Sequence, residues 1–303
     1  MCGSCVLIVL CPYSAISPTQ DLWLAKAALD EALRLSPTII TAIKAASVEL
    51  ELDNLERSDE LFALAESLPG AEKNADLHYH RALARFVRDK KVDNALGDLK
   101  RATELAPEFA MGRLQLGTSL FRAGHYRESL VELERARNLA PALPDTSSYM
   151  GEVLAELGRF ADATQAFADA IEADPSYSLA YVNQALLLWK QAGHLVMNAG
   201  KDEGLTDVKS VAAREGEMLT LAKAKLRRAV EVDPSCDAAY FNLASWCMNR
   251  GEYAEAVRNC DLAIKHACTQ TELCEYMALR MMALAYRDAS AMLHRNKKKK
   301  NEE

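Results

Sequence analysis

Apolar residues recur along the chain at spacings of three to five positions with polar residues between them, the pattern of amphipathic helices. Three of these helical stretches run into prolines spaced by 34 residues, Pro107, Pro141 and Pro175, and Pro234 follows 59 residues after the third. Proline cannot continue a helix because it lacks the amide donor and clashes with the preceding turn, but it suits the approach to a new helix. The regular spacing therefore marks equivalent units, and the unit before Pro234 carries 25 extra residues.

The apolar positions ahead of each proline repeat in one frame. A small residue stands twelve positions before the proline, a large apolar residue eight before and an alanine five before, as at Ala95, Leu99 and Ala102. These positions share one helix face, where small residues let two backbones approach and the large one fills the gap. The same frame recurs at Ser129, Leu133 and Ala136, at Ala163, Phe167 and Ala170, and at Ala222, Leu226 and Ala229. Glycines two residues before an aromatic predict the turn inside a unit, at Gly124, Gly158 and Gly251.

A helix–turn–helix unit of 34 residues is the tetratricopeptide pattern. We therefore predict an all-α fold, a tetratricopeptide-repeat superhelical solenoid with a C-terminal capping helix. The solenoid is predicted over 19–294, between an apolar, irregular segment at 1–18 and a disordered basic tail at 295–303. Its parts are a partial unit at 19–37, repeats at about 40–72, 76–109, 110–143, 144–177, 178–235 (with an insert at 193–216) and 236–269, and a cap at 270–294.

Composition narrows the possible functions. The formal net charge of −7 argues against nucleic acid as a partner, which would call for a basic face. The pair Cys2 and Cys5 has no second CxxC to complete a zinc site, so no metal is expected. The apolar run at 5–10 is too short to span a bilayer, and no membrane anchor is expected in the sequence as given. Cysteines inside helical patterns fit a reducing compartment.

The sequence lacks the groupings that carry catalysis. None of the six histidines forms an HExxH motif, and none has a nearby serine or cysteine in a nucleophile elbow. No GxGxxG or GxxxxGK loop occurs to hold a nucleotide cofactor. We expect no catalytic residue, no cofactor and no enzymatic activity.

A helical solenoid without catalytic groups usually serves as a binding surface. The first helix of each pair lines the concave side, so we predict a groove there that holds a polypeptide as a helix. For the apolar members, packing between repeats is the alternative interpretation, most of all for Leu114 and Leu186. The predicted groove residues are His80, Arg81, Arg88, Leu114, Gln115, Thr118, Phe121, Tyr149, Glu152, Asn183, Leu186, Trp189, Phe241, Asn242 and Ser245.

Some proteins with this fold use a basic clamp to capture the C-terminal carboxylate of a chaperone. The clamp needs Lys and Asn four positions apart on one first helix, an Asn on the next, and Lys with Arg on a third. The corresponding residues here are Lys44 with Val48, His80 with Ala84, and Leu114 with Thr118. The clamp is therefore predicted to be absent.

Three segments outside the generic repeat positions carry a resemblance to a known family. They are "NADLHYHR" from Asn74 to Arg81, the helix end at Trp189–Lys190–Gln191, and the pattern AxExDxxCDxAY from Ala229 to Tyr240. In order, they resemble the C-terminal repeat region of mitochondrial outer-membrane import receptors of the seventy-kilodalton class. The resemblance implies a receptor on the cytosolic face of that membrane, which accepts hydrophobic preproteins delivered by chaperones and contacts other translocase subunits.

Two other functions remain open at this point. The same fold could serve as a scaffold of another complex that binds an unrelated peptide, since a fold alone does not determine function. The repeats could also be the regulatory part of a longer enzyme. The leading hypothesis is a non-catalytic preprotein receptor whose ligand lies in the concave groove.

Overall fold

The chain is all-α. The computed structural model describes residues 20–89, 92–198 and 208–302, and it contains no strand within these ranges, which confirms the predicted fold class. The predicted segment at 1–18 lies outside the described residues. The described helices are α1 (Gln20–Leu35), α2 (Ile39–Glu51), α3 (Leu55–Ser67), α4 (Ala75–Asp89), α5 (Val92–Leu105), α6 (Ala110–Arg122), α7 (Tyr126–Leu139), α8 (Pro144–Glu156), α9 (Phe160–Ala173), α10 (Ser178–Asn198), α11 (Val208–Val232), α12 (Asp237–Asn249), α13 (Tyr253–His266) and α14 (Gln270–Glu302).

The glycines that punctuate the units do so by adopting left-handed backbone. Gly124, Gly158 and Gly251 have φ of 81°, 74° and 75° at the ends of α6, α8 and α12. At the first of them, the Gly124 amide donates to Phe121 O at 3.0 Å, which closes the end of the helix. Asp53 takes the equivalent place between α2 and α3 with φ 59°, a conformation that is uncommon outside glycine.

The repeated small–large–small frame forms the core between paired helices. Its members on α5, α7, α9 and α11 are all buried, among them Leu99, Leu133 and Leu226. Hydroxyl groups at the small position also bind the facing helix: Ser129 Oγ donates to Gly117 O at 2.7 Å and Ser58 Oγ to Ala46 O at 2.9 Å. The face that the sequence predicted is therefore the face that packs.

The described chain forms two compact units, and the first covers 20–159. In this N-terminal unit the pairs α2–α3, α4–α5 and α6–α7 stack in chain order, with α1 packed on α2 and α8 packed on α7. Lys26 of α1 pairs with the buried Glu49 of α2 at 2.6 Å, which ties the partial unit to the first full pair.

The C-terminal unit covers 160–302. Its pairs are α10–α11 and α12–α13, with α9 packed on α10 and α14 packed on α13. Helix α14 begins with a capping box, in which Thr269 Oγ1 accepts from the Glu272 amide and the Glu272 carboxylate accepts from the Thr269 amide. The Tyr276 hydroxyl donates to Asp237 Oδ2 at 3.0 Å and joins α14 to α12.

The extra residues of the 178–235 unit lengthen both of its helices. Helix α10 has 21 residues and α11 has 25, whereas the regular pair α6 and α7 has 13 and 14. The sequence predicted a loop for part of the insert and allowed a longer second helix. Within the described part, residues 193–198 continue α10 and residues 208–216 begin α11, so the pair extends beyond the others in length.

The backbone of α14 is helical through Glu302, across the positions from 295 onward for which the sequence predicted a disordered basic tail. Lysine and glutamate are good helix formers, so a helix that already docks on α13 can continue into this polar stretch.

Candidate polypeptide-binding site

Arg81 on α4 faces α5 and α3, the second helices of its own pair and of the preceding pair. Its Nε donates to Asp98 Oδ2 on α5 at 3.0 Å, and the same guanidinium contacts Glu66 on α3. Asp98 is buried and also accepts from Arg85 Nη1 at 2.6 Å, while His78 Nδ1 lies 3.4 Å from its other oxygen. Because these carboxylates already hold the guanidinium, Arg81 orders the helix stack and offers little to a ligand.

His80 and Arg88 occupy different surroundings on the same helix. His80 is partly buried beside Ser47 of α2, with Nδ1 and the hydroxyl oxygen 3.5 Å apart. Burial lowers the pKa of His80, and the nearby Asp76 carboxylate partly opposes that effect. Arg88 is exposed and forms an ion pair with Asp59 of α3.

Several of the predicted groove residues have little accessible surface. On α6, the Thr118 hydroxyl donates to Gln115 O at 3.0 Å, and on α12 the Asn242 amide donates to Ala238 O at 2.8 Å. Side chains of this kind stabilise their own helices and present little area to a partner. The buried set is Leu114, Gln115, Thr118, Tyr149 and Asn242.

The partly exposed members divide between the two units. In the N-terminal unit, Phe121 and Glu152 are half-buried, and the Phe121 ring lies 5.8 Å from the Tyr126 ring. In the C-terminal unit, Asn183, Leu186 and Ser245 are half-buried, and Leu186 packs against the core of its unit.

Phe241 is the first of two half-buried aromatic residues that were predicted for the groove in the C-terminal unit. Its ring packs at 4.9 Å from the ring of Tyr276 on α14, and it remains half-buried. Burial raises the pKa of Tyr276 and also that of its partner Asp237, while the hydrogen bond between them opposes the rise at Asp237. Phe241 therefore lies at the contact between α12 and α14.

Trp189 is the second of these aromatic residues, and it borders a cavity. Its ring stacks on Trp246 of α12 with centroids 5.9 Å apart and an interplanar angle of 7°. Trp246 is 6% exposed, and Arg250 and Lys223 lie over its ring at 5.5 and 5.8 Å. The adjacent cavity has a volume of about 490 Å³ and is lined by Trp189, Ala192, Gly193, Glu215, Leu219, Trp246, Asn249 and Arg250.

The sequence analysis named Trp189 but did not name most of the residues that line the cavity beside it. Trp246 lies on the first helix of its own unit, two residues earlier in the repeat than Trp189 does in its unit. Aligning the units by the 34-residue frame therefore does not pair the two tryptophans. Glu215 and Leu219 come from the insert and the stretch after it, which lie outside the frame. The helical pattern at 205–226 was the one available indication that these residues could reach the repeat.

One potential metal-binding group occurs among the described residues. The Cys247 sulfur and one carboxylate oxygen each from Glu252 and Glu255 lie within 4.8 Å of one another. Burial and the two carboxylates raise the pKa of the Cys247 thiol to about 11, and Glu252 also lies 3.7 Å from Lys223. A protonated thiol beside a carboxylate that already pairs with a lysine is a poor set of ligands for a metal ion. Cys2 and Cys5 lie outside the described residues.

None of the helices in the described part of the chain is both long and apolar enough to cross a membrane.

The paired helices, their left-handed turn glycines and the buried frame define a tetratricopeptide-repeat fold. The family model of the tetratricopeptide repeat matches residues 114–178, 150–194 and 211–268. The chain resembles the human mitochondrial import receptor subunit TOM70, with 23% identity over 216 residues, which make up 68% of this chain and 31% of the receptor. The same subunit from rat is 22% identical over 215 residues, again 68% of this chain and 31% of the receptor.

Solved structures agree with the fold. Yeast Tom70 superposes with a TM-score of 0.59 at 20% identity, covering 87% of this chain and 50% of that one. A tetratricopeptide repeat protein from Parabacteroides merdae has a TM-score of 0.65 at 15% identity, covering 86% and 93%. At these identities the superpositions support the fold alone, and the chain aligns with about a third of the length of its curated relatives.

Proposed function

We propose that this chain is a non-catalytic receptor that binds hydrophobic mitochondrial preproteins during their import. The observation that carries the proposal is the alignment of 216 residues with TOM70, in a chain whose helix pairs superpose on those of yeast Tom70. Repeat folds of this type bind polypeptides, and large aromatics in packed surroundings are frequent anchors of such interfaces.

The binding surface centres on Trp189 and Phe241. Both rings are half-buried, and each packs on a second aromatic ring that fixes its orientation. Fixed aromatic anchors lose little conformational entropy on binding, which suits them to recognise varied apolar sequences. Asn183 and Ser245 lie on the same two helices, α10 and α12, and the Ser245 hydroxyl donates to Phe241 O at 3.1 Å.

The proposal is tested by direct binding. A purified chain should retain a radiolabelled carrier preprotein, and an amphipathic presequence peptide should compete for it in a saturable manner. Phe241→Ala should lower the affinity at least about tenfold, since truncation of an interface anchor costs more than about 1.4 kcal/mol. Leu262→Ala is the matched control, because Leu262 is an exposed apolar residue on the second helix of the same pair.

Retention of preprotein by neither the parent chain nor the variants would reject the proposal. Location provides an independent test, since a receptor of this kind belongs on the cytosolic face of the mitochondrial outer membrane. The endogenous protein should co-fractionate with mitochondria and be digested by protease added to intact organelles. A diffuse or nuclear distribution would favour the alternative, a scaffold of another complex.

A further inference from the structure

Helix α14 exposes an apolar face on the side away from the solenoid. Tyr276 and Ala283 lie on its other side and are buried where α14 packs on α13 and α12. A helix that only closes a solenoid should present a polar outer face, since capping repeats need one for solubility. Instead, the large apolar side chains of α14 that are at least half exposed are Met277, Met281, Met282, Tyr286 and Met292. An apolar face of this kind indicates a further contact.

The exposed face contains a seam, a row of residues alternately four and three positions apart along α14. Its members are all exposed: Cys274, Ala278, Met281, Ala285, Asp288 and Met292. This alternation is the a/d pattern of helices that pair along their length in coiled coils. The occupant that fits the seam is therefore another helix, lying along α14.

The seam is complementary in shape to a second copy of itself running in the opposite direction. When a two-fold axis passes at the level of Ala283, Met281 of one copy faces Ala285 of the other, and Met292 faces Cys274. Each seam methionine then lies opposite a small side chain, so that large and small residues fill the space between the helices. A two-fold contact requires this self-complementarity, because both copies use the same surface.

The charges of α14 also favour the antiparallel direction. In a parallel pair in register, Asp288 would face Asp288 of the second copy, whereas in the antiparallel pair it faces the uncharged Ala278. The sequence has Glu272 and Glu275 near the start of α14 and a basic stretch at 295–300 near its end. An antiparallel pair brings the acidic start of each helix towards the basic end of the other, and it also opposes the two helix dipoles.

We propose that the exposed face of α14 binds a second copy of this chain, as an antiparallel helix pair centred at the level of Ala283. The seam runs over 274–292, about 27 Å of helix at 1.5 Å per residue. This length is short for a permanent dimer, so single chains and pairs exchange with concentration. Phe241 packs on Tyr276, on the other side of α14, so the contact uses none of the residues proposed to bind preprotein.

Sedimentation velocity of the full chain over a rising series of concentrations measures the pairing. The parent chain should shift from monomer to dimer. Met281→Glu should stay monomeric, because the two-fold axis brings the two introduced carboxylates within about one helical turn of each other. Met197→Glu is the matched control, since Met197 is an exposed methionine on α10, and it should form dimers as the parent does. Both variants replace a side chain that is more than half exposed, so neither is expected to unfold the chain.

A disulfide cross-link tests the direction of the pair. Cys274 of one copy faces Met292 of the other, so Met292→Cys should form an intermolecular disulfide when oxidised glutathione is added to accept the two electrons. The control is Arg287→Cys, because Arg287 is exposed on α14 but lies outside the seam, and it should give no covalent dimer. Both variants are made in a full chain that retains Cys274 and the three buried cysteines, with serine in place of Cys2, Cys5, Cys11 and Cys268. Non-reducing gel electrophoresis detects the product.

Each measurement has an outcome that overturns the proposal. A parent chain that stays monomeric at its highest soluble concentration would do so, as would a dimer that Met281→Glu leaves intact. A covalent dimer formed through Cys274 alone, before Met292 is replaced, would indicate a parallel pair and reject the antiparallel one. Equal cross-linking of Met292→Cys and Arg287→Cys would show that the seam does not direct the contact.

Discussion

Leu133 packs directly on Gly117, at a close approach between α6 and α7. A Cβ atom added at Gly117 would lie 2.7 Å from Leu133 Cγ and 3.3 Å from the Leu133 backbone nitrogen. Leu133 is fully buried, so it has little room to move. Glycine at this position is therefore required by helix packing, even though it lowers the propensity of α6 to be helical.

Gly117→Ala should destabilise the chain by about 1–3 kcal/mol, because the added methyl group overpacks the contact with Leu133. Gly97→Ala is the control, since Gly97 is an exposed helical glycine with nothing within 4 Å of an added Cβ. It should raise stability by about 0.5–1 kcal/mol. Urea denaturation followed by circular dichroism measures both, and a neutral Gly117→Ala would contradict the packing argument.

Asp98→Ala should cost about 3 kcal/mol or more. The substitution removes the buried carboxylate that pairs with Arg81 and Arg85, and the partly buried Arg81 keeps Glu66 as its carboxylate partner. Glu104→Ala removes an exposed carboxylate from the same helix, where it pairs with Arg101, and should change stability by less than about 0.5 kcal/mol. Equal unfolding free energies for the two variants would show that the buried cluster contributes nothing.

Stability should decline as the pH falls through the ordinary histidine range, near 6.5, and His80 should contribute to the decline. Burial lowers the pKa of His80 in the folded chain, so the unfolded chain binds its proton first and is favoured as the pH falls. His80→Gln keeps a polar group beside Ser47 and removes the titration. Denaturation midpoints followed from about pH 8 to about pH 5 should fall less steeply for this variant, and parallel curves would refute the assignment.

Tyr276→Phe should destabilise the chain by about 1–3 kcal/mol. The ring contact with Phe241 is kept, while the partly buried Asp237 carboxylate loses the hydroxyl that donates to it. Tyr286→Phe on the same helix is the control, because Tyr286 is exposed and its ring stacks on Tyr253 at 5.6 Å. Thermal unfolding should separate the two, and a Tyr276→Phe variant as stable as the parent would exclude this role.

The helices and their core followed from the sequence because both depend on local spacing. A residue that recurs every 34 positions on one helix face, such as Leu99 and Leu133, must face the same partner in every unit. Burial at these positions therefore follows from the repeat alone. The positions of the turn glycines could be predicted for the same reason, since each glycine reverses the chain after a first helix of equal length.

The surroundings of the predicted groove residues could be predicted less well, because they come from helices that the 34-residue frame does not relate to one another. Arg81 was predicted to line a groove, but its partners Asp98 and Glu66 lie 17 and 15 residues away on two different helices. Periodicity places a residue on a face and says little about which charged side chain reaches it. Thr118 and Asn242 were likewise placed on the correct helices, but they are buried and bond to their own backbone.

The longer helices of the 178–235 unit have a consequence for engineering. Their additional turns change one hairpin and leave the 34-residue spacing of the preceding repeats intact. The length of this hairpin is therefore independent of the spacing of the other repeats. Shortening α10 and α11 to the regular 13 and 14 residues is expected to leave the register of the preceding repeats unchanged.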